Sequence, residues 1–440
     1  MNANWEIKKL GDIITLQRGH DLPSQDRKHG QVPIMGSSGI TGYHNQFKAK
    51  GPGVIIGRSG NSMGQVSYIS ENYWPLNTCL YVTDFKGNCP EFIYYFLKQI
   101  NFEQFNSGSA QKSLNRNAVY PFEVKFPTSY KVQSKIASTL FALENKINLN
   151  QDINQTLEQM AQALFKSWFV DFEPIKAKIA VLEAGGSQED TTLAAMTAIS
   201  GKDADSLTVF EQEHPEKYAE LRATAELFPS TMQDIESVKI PEGWYLVPLR
   251  KIASFASGKS NVSELTKDTY ISTENMLVNK MGIECATSLP SASTTPYFNP
   301  GHILISNIRP YFKKIWLARF SGGRSADVLA FEHKKHITAE YLYNILYQNS
   351  FFDFMMQTSK GVKMPRGDKK AIMEWSCIEP DTRLVKVFSN KVKEFYSYIE
   401  SHNRENTQLS QLRDTLLPKL LSGEITLPGA EELAKEADYV

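Results

Sequence analysis

Two stretches of the chain place apolar residues at alternating spacings of three and four, which is the pattern of a long helix that packs along one seam. The second seam follows the first at a constant distance of 252 residues. At 1.5 Å per residue each helix is roughly 55–60 Å long, so the pattern predicts two long helices with matching faces that pair. The first seam contains Leu143, Ile147, Asn150, Asn154, Leu157, Ala161, Leu164 and Trp168, and the second contains Phe395, Ile399, His402, Asn406, Leu409, Arg413, Leu416 and Leu420.

Both seams have polar residues in the middle. Asn154 and Asn406 occupy equivalent positions, where a polar side chain costs stability but fixes the register of paired helices. A seam that faces solvent at this point explains the two asparagines equally well. The large apolar residues near the seam ends are interpreted as helix-end core rather than as a ligand site: Trp168, Phe169, Leu416 and Leu420.

An internal repeat extends well beyond the two helices. Trp5 and Gly19 recur 239 residues later as Trp244 and Gly258. Further along, the spacing between matching residues grows to 248, 249 and 250, with the changes falling in loops. An ordered series of matches of this length predicts two copies of one module. The later matches are Pro52-Gly53 with Pro300-Gly301, Tyr94 with Tyr343, and Arg116 with Arg366.

Each copy contains short apolar runs separated by Gly, Pro, Asn and Ser, which predicts short strands followed by a helix near residues 90–105 or 339–356. The predicted fold class is α+β, with two repeated mixed α/β domains separated by two long antiparallel, coiled-coil-like helices. A helix is also expected near residues 213–227. The predicted segments are a first domain at 1–130, a spacer helix at 131–171, an acidic connector at 172–240, a second domain at 241–379, a second spacer helix at 380–423 and a tail at 424–440.

The composition is that of a globular protein large enough for at least two domains, with 440 residues of which 41% are hydrophobic. The sequence has no apolar run of membrane-spanning length and no secretory signal at its start, so a cytoplasmic protein is expected. The four cysteines show no CxxC spacing, which favours buried reduced thiols over a disulfide framework or a zinc site. They are Cys79, Cys89, Cys285 and Cys377.

Lysine and arginine balance aspartate and glutamate over the whole chain, but the charge is sorted by segment. Residues 1–130 carry 13 basic and 9 acidic side chains, and residues 241–379 carry 17 and 12. Residues 172–240 carry 6 basic and 13 acidic side chains. A basic excess in both copies suits a polyanionic ligand, although ordinary solvated surfaces often differ by as much.

The sequence lacks the motifs of an enzyme that acts on DNA. The string Asn299-Pro300-Gly301-His302 lacks the second proline and the aromatic residue of an amino-methyltransferase, and the glycines at 51–60 do not form a cofactor loop. Glu123-Val124-Lys125 resembles the end of a nuclease motif, but an exposed strand explains it better because no acidic residue stands shortly before it. His333-Lys334-Lys335-His336 is interpreted as a solvated loop rather than a metal site.

The two-copy layout resembles the DNA-specificity subunit of Type I restriction-modification enzymes, and the resemblance covers nearly the whole chain. The long helices end in QALFKSWFVDFEP and QLRDTLLPKLLSGEI, and the copies begin with WEIKKLGDI and WYLVPLRKI. The loops GSAQKSLNR and TSKGVKMPR also match the family pattern. The connector is longer than the minimal family layout requires.

The resemblance implies a protein that reads a bipartite DNA target and catalyses no reaction itself. In such systems two methyltransferase subunits bind S-adenosylmethionine, and nuclease subunits consume ATP with Mg²⁺, so no cofactor is expected in this chain. The paired helices would set the unread gap between the half-sites. The alternative is a coiled-coil adaptor that joins two protein-binding domains.

DNA contacts are expected on polar loops, where side chains donate hydrogen bonds to base edges and phosphates. A solvated surface explains several of the same residues, and Arg58 either contacts a base or caps a turn. Lys259 is matched to Arg18. The candidates in the first copy are Arg18, Arg58, Ser59, Gly60, Asn61, Ser109, Gln111, Lys112, Asn115 and Arg116; those in the second are Lys259, Asn307, Arg309, Lys360, Lys363 and Arg366.

Overall fold

The computed structural model describes residues 5–108 and 111–425. Residues 5–152 and 402–425 form one unit, and Ile153–Ser401 form a second unit. Each unit therefore contains one strand-rich domain together with a part of each long helix. No helix among the described residues is long and apolar enough to cross a membrane.

The first domain occupies residues 5–127 and consists of short strands, with one well-formed helix. Helix α2 begins with Pro90 at its first turn and ends at Lys98, where a basic residue favours the helix C-terminus. The elements in chain order are β1 (Trp5–Lys9), α1 (Leu10–Ile13), β2 (Thr15–Arg18), β3 (Val32–Gly36), β4 (Gly39–His44), β5 (Gly53–Gly57), β6 (Val66–Ile69), β7 (Trp74–Pro75), β8 (Cys79–Asp84), α2 (Pro90–Lys98), α3 (Arg116–Val119) and β9 (Glu123–Pro127).

The first long helix is α4 (Tyr130–Phe169), which contains neither proline nor glycine. A folded connector follows, in which the Ser187 side chain and Asp190 form a capping box at the start of a helix. The connector elements are α5 (Glu173–Glu183), α6 (Gln188–Ser200), α7 (Ala204–Glu213), α8 (Pro215–Glu226), β10 (Met232–Ile235) and β11 (Val238–Pro241). The expected helix near 213–227 corresponds to α8, whereas the other three helices and the β10–β11 hairpin were not predicted.

The second domain occupies residues 245–379, and the second long helix follows it. The elements in chain order are β12 (Tyr245–Pro248), β13 (Ala253–Phe255), β14 (Lys259–Asn261), β15 (Tyr270–Ile271), β16 (Thr294–Phe298), β17 (Ile303–Ser306), β18 (Ile315–Leu317), β19 (Gly322–Arg324), β20 (Val328–His333), α9 (Ala339–Leu346), α10 (Asn349–Gln357), α11 (Lys369–Met373), β21 (Ser376–Glu379) and α12 (Thr382–Ser422).

The two domains share one topology. The main sheet has the order β2-β8-β5-β6 in the first domain and β13-β20-β17-β18 in the second, with every pair antiparallel. A two-stranded ladder, β1–β9 or β12–β21, joins the ends of each domain. A smaller sheet contains a parallel pair, β3–β7 or β15–β19. The predicted α+β fold with two copies of one module is confirmed.

The long helices pack antiparallel within each unit. In the first unit Asn150 donates hydrogen bonds to Glu405 (2.7 Å) and to Asn406 (2.9 Å). Glu144, six residues earlier, lies 3.9 Å from Arg413. In the second unit Phe165 packs on Phe388. The seam residues of both helices are buried or partly buried, and Asn406 is part of a polar pair that favours one register.

Each domain also buries its helix α2 or α9 against the long helices of its own unit. Tyr95 of α2 donates a hydrogen bond to Glu144 at 2.8 Å. The corresponding residue of α9 is Asn344, which donates to Tyr396 at 2.9 Å and accepts a hydrogen bond from Gln162 at 2.7 Å. The predicted helix-end residues Trp168 and Phe169 lie in the core of the second unit, and Leu416 and Leu420 lie in that of the first.

The repeat spacing changes at the loop before the short helix of each domain. Asn115 caps α3, which begins at Arg116, and Asp368 caps α11, which begins at Lys369. These equivalent positions are 253 residues apart. Arg116 therefore corresponds to Lys369, and the predicted match of Arg116 with Arg366 is wrong by three residues. The reason is that α10 replaces a shorter turn at 102–105 in the first domain.

Candidate nucleic-acid interface

Two loops meet at one end of the main sheet in the first domain. One is the strand-end loop after β5 (residues 58–62), and the other is the hairpin loop between Ser107 and Ser113. Leu114 N–H donates to Arg58 O at 2.8 Å, and Gly60 N–H donates to Lys112 O at 3.1 Å. These backbone hydrogen bonds fix the two loops against each other, so side chains far apart in sequence lie on one surface.

The two loops and the end of β2 enclose a cleft of about 760 Å³. Four predicted residues, Arg18, Arg58, Asn115 and Arg116, line it. Three guanidinium groups and one carboxylate, Asp21, leave the cleft with an excess of positive charge, and each guanidinium group can donate paired hydrogen bonds to a phosphate or to a guanine edge. The cleft is also lined by Gln17, Gly19, His20, Asp21, Leu80, Ser107, Ser113 and Leu114.

Two of the arginines are held by backbone carbonyl groups. Arg116 donates to Leu16 O at 3.0 Å, and Arg58 donates to Asn77 O at 3.4 Å. A carbonyl orients a guanidinium group without neutralising it, because it carries no net charge. Arg116 thus keeps its positive charge and an exposed side chain, as a DNA-contacting residue requires.

His20 and Asp21 belong to the cleft but were not predicted from the sequence. His20 packs on Trp74 and lies 3.3 Å from the Tyr81 hydroxyl group. Asp21 accepts a hydrogen bond from Asn77. Their position directly after Gly19 was the signal available in the sequence. Gly19 follows β2, and its backbone lies close to the Leu76 carbonyl group.

The remaining candidates of the first domain lie around the cleft. Ser59 forms a backbone bridge with Ser113, Asn61 and Gln111 are exposed, and Gly60 has a φ of +73°. Lys112 forms an ion pair with Glu103 at 2.6 Å. Ser109 lies outside the described residues.

The second domain repeats this pair of loops with different side chains. Its strand-end loop is 307–312, and its hairpin loop is 360–366. Gly367 N–H donates to Asn307 O at 3.3 Å, and Arg309 N–H donates to Pro365 O at 2.8 Å. Asn307 and Arg309 thus take the places of Arg58 and Gly60 in the first domain.

Arg309 has the left-handed backbone conformation, with a φ of +50°. A side chain other than glycine is unfavourable there, and Gly60 occupies the equivalent place. Two side-chain atoms at this loop, Asn307 Oδ1 and Arg309 Nε, are buried without a hydrogen-bond partner among the described residues. Strain and unpaired polar atoms in one loop are more typical of a binding site than of a structural turn.

Carboxylates hold two cations of the second hairpin loop. Arg366 makes two hydrogen bonds to Asp327, at 3.2 and 3.3 Å. Lys360 lies 2.5 Å from Asp368, and Lys363 is exposed. The residues of the first domain at the places of Arg366 and Asp327 are Ser113 and Thr78, so the first domain has no such ion pair.

Lys259 does not correspond to Arg18. Arg18 ends a strand of the main sheet, opposite Leu80. Lys259 lies beyond Gly258 in the smaller sheet, where it pairs with Pro296. The predicted match is therefore wrong, although Lys259 is exposed in a basic domain.

The buried thiols of Cys79 and Cys377 are poor nucleophiles. Burial raises the pKa of the thiols of Cys79 and Cys377 to about 12, so both are protonated near neutral pH. No group of three or more potential metal ligands occurs within residues 5–108 and 111–425. The chemistry of the two loop sites is hydrogen bonding and charge.

Comparison with known proteins identifies the family of this chain. The family model "Type I restriction modification DNA specificity domain" matches residues 2–159. The chain is 33% identical over 311 residues to the HindI specificity subunit of Haemophilus influenzae, which covers 67% of each protein. It is 26% identical over 200 residues to the MjaIX specificity subunit of Methanocaldococcus jannaschii, covering 39% of this chain and 45% of the relative.

The fold is similar to a solved structure as well. A crystal structure of a Type I restriction-modification S subunit from M. genitalium aligns with a TM-score of 0.56 at 15% identity, covering 96% of each chain. The repeated domains, the paired helices and the similarity to the HindI specificity subunit all indicate one family. The chain belongs to the specificity subunits of Type I restriction-modification systems, and it is the recognition component of such a system rather than the catalytic one.

Proposed function

We propose that each domain binds double-stranded DNA through its strand-end loop and hairpin loop, and that each reads one half of a bipartite target. The observation that carries this proposal is the repetition of one loop pair, held by equivalent backbone hydrogen bonds, with different side chains in each copy. A conserved loop frame with different polar groups is suited to reading two different sequences. Phosphate contacts position such loops, and base contacts specify the target.

The partners of this chain follow from its family. We propose that two methyltransferase subunits carry S-adenosylmethionine, and that nuclease subunits, where present, carry ATP and Mg²⁺. This chain then needs no cofactor of its own. The acidic connector has no counterpart in the sequence after the second helix.

We further propose that the length of α4 and α12 sets the number of unread base pairs between the half-sites. A four-residue insertion after Asn154 adds about 6 Å and little more than one turn. Each base pair of B-DNA advances 3.4 Å, so the methylated motif should gain one or two unread base pairs. Both half-sites should stay the same. A two-residue insertion rotates the seam by roughly 200° and should prevent assembly instead.

Domain exchange tests the central proposal. Residues 1–128 are replaced by the matching part of another specificity subunit, and methylated adenines are mapped across the genome. One half of the motif should change while the other half stays. If both halves change or neither does, the domains do not read DNA independently. If cells with and without the gene show the same methylation, the adaptor alternative is favoured.

A further inference from the structure

The tip of the second hairpin loop exposes apolar side chains. The loop is closed by two backbone hydrogen bonds between Lys360 and Arg366, at 2.9 and 3.0 Å. Val362 is 103% exposed and Met364 is 44% exposed, so Val362 gains no burial from folding. Gly, Pro, Asn, Asp and Ser dominate tight turns, so the exposed, β-branched Val362 is a candidate contact residue.

The base of the same loop is held in place. Pro365 is buried, and its carbonyl group accepts the Arg309 N–H. Arg366 is bound by Asp327 on the neighbouring strand end. The loop thus presents Val362 from a fixed frame, which favours a contact of defined geometry over general flexibility.

Charge identifies the class of partner. Lys363 follows the exposed valine on a loop of seven residues, while Lys360 and Arg366 of the same loop are paired with Asp368 and Asp327. A partner that covers Val362 must therefore also accept the positive charge of Lys363 next to it. DNA does so with phosphates while it offers apolar surface at the 5-methyl group of thymine, which is the principal apolar group of the major groove.

Loop shape selects the groove and the kind of contact. The loop is closed by a single backbone bridge between Lys360 and Arg366, and the major groove, about 12 Å wide, admits such a projecting loop more readily than the minor groove at about 6 Å. Side chains that enter between base pairs from the minor groove are commonly long or bulky. Val362 is short, so it reaches a methyl group on a base edge but does not separate stacked bases.

The first domain provides the comparison. Its hairpin loop closes between Ser107 and Ser113, so Met364 corresponds to Gln111, which is exposed, and the residue that corresponds to Val362 in the sequence, Ser109, lies outside the described residues. Gln111 is thus a polar residue where the second copy has the apolar Met364. Since the frame is shared, this difference is one of reading chemistry.

We propose that Val362 reads a thymine in the second half-site by packing on its 5-methyl group. This rests on the proposed DNA-binding function. Lys363 then faces the adjacent phosphates, and the second half-site contains an A·T pair where Val362 lies.

The test removes the methyl group from the DNA and the valine from the protein. The complex is purified with its methyltransferase partner, and its affinity is measured for duplexes carrying the mapped motif. Each thymine of the second half-site is replaced in turn by uracil, which lacks only the methyl group. One replacement should weaken binding about fourfold, the worth of one buried methyl group.

The protein variant completes the cycle. Val362→Ala should bind the thymine duplex about fourfold more weakly and should no longer distinguish thymine from uracil at that position. Val209→Ala is the matched control, because Val209 is an exposed valine of the connector helix α7. It should retain the uracil sensitivity of the original protein.

Three results overturn the proposal. They are tolerance of uracil at every position, full uracil sensitivity of the Val362→Ala complex, and equal weakening of all DNA binding by Val362→Ala, as a wedge between base pairs would predict. Failure of the DNA-binding function itself has a different signature. In that case the unaltered complex does not distinguish the mapped motif from unrelated DNA.

Discussion

The two domains build different sites on one frame. The first domain gathers Arg18, Arg58 and Arg116 in a cleft, where carbonyl groups orient two of the guanidinium groups without neutralising them. The second domain places its cations on a projecting hairpin loop, where Asp327 and Asp368 pair with Arg366 and Lys360. The two copies therefore share the backbone hydrogen bonds that join their loops, but they differ in the side chains that those loops carry.

The difference has an electrostatic consequence. Free guanidinium groups attract any DNA, because phosphate neutralisation releases counterions regardless of sequence. A cation that already has a carboxylate partner gains less from a phosphate. We therefore expect the first domain to supply more of the general affinity and the second domain to be the more selective reader.

The largest effect is expected from the arginine cleft. Arg116→Ala should weaken binding by about 5- to 150-fold, because a bidentate contact to a base is worth about 1–3 kcal/mol. The fold should tolerate the change, because Tyr120 Oη also donates to Leu16 O at 3.1 Å. Binding is measured across salt concentrations, with Lys8→Ala as the control, since Lys8 lies on β1 outside the cleft and pairs with Glu6.

The salt dependence distinguishes the kinds of contact at Arg116. A phosphate contact lowers the salt slope by about one unit and affects all sequences alike, whereas a base contact changes the preference at one position. An Arg116→Ala complex with unaltered affinity and specificity would remove this residue from the site.

The second prediction tests whether Arg309 serves DNA recognition or the stability of the fold. Arg309→Gly removes a side chain from a left-handed position that glycine occupies in the first domain. The unfolding temperature of the chain should stay the same or rise by up to about 3 °C, while discrimination within the second half-site should fall. A lower unfolding temperature would mean that the arginine is structural. Gly60→Arg in the first domain is the reciprocal variant and should lower the unfolding temperature.

A third effect concerns how each domain is attached to α4 within its own unit. Glu144 faces Lys98 at 3.6 Å in the first unit. In the second unit burial raises the pKa of Glu158 to about 7, against the opposing influence of Gln162 and of the positive charges of Arg319 and Lys280. Ionisation of Glu158 therefore costs more in the folded than in the unfolded protein.

The sign of the pH dependence follows. Below about pH 4.5 Glu158 is protonated in the folded and the unfolded protein, so it does not lower the free energy of unfolding. The loss of stability grows as the pH rises from about 4.5 to about 7. Glu158→Gln should thus be more stable than the original protein at pH 8, by about 1 kcal/mol or 2–4 °C. The advantage should shrink towards pH 5. Thermal unfolding at the two pH values checks this, and an advantage independent of pH would show that ionisation is not its cause.

Much of this fold was predictable, because it depends on regular spacing. The heptad seams identified both long helices, and the repeat identified two copies of one module. The connector helices were harder to predict, because they are short and depend on caps such as Ser187 with Asp190 and on a small core around Leu207 and Leu221. Such short elements leave a weak periodic signal.

The site was predictable only in part. The loops were recognised because they concentrate Gly, Ser, Asn and Arg. The sequence did not show which side chains of these loops correspond or form ion pairs. The equivalence of Arg116 with Lys369 depends on a helix, α10, that lengthens the chain before the second hairpin loop. Asp327 was not predicted because it acts on a residue 39 positions away, and sequence spacing does not reveal a contact of this kind.

The smallest effect is expected from Asp327. An exposed ion pair contributes about 0.2–1 kcal/mol, so releasing Arg366 should alter DNA binding only a few-fold. Asp327→Asn keeps the size of the side chain and removes its charge. We expect the variant to bind unrelated DNA about two- to fivefold more tightly, because Arg366 then meets phosphates without first leaving a carboxylate. Binding to the mapped motif should change less, so the ratio of specific to non-specific affinity should fall. If Asp327→Asn instead weakens only one base position of the motif, Asp327 contacts a base directly, and the selectivity of the second domain has a different origin.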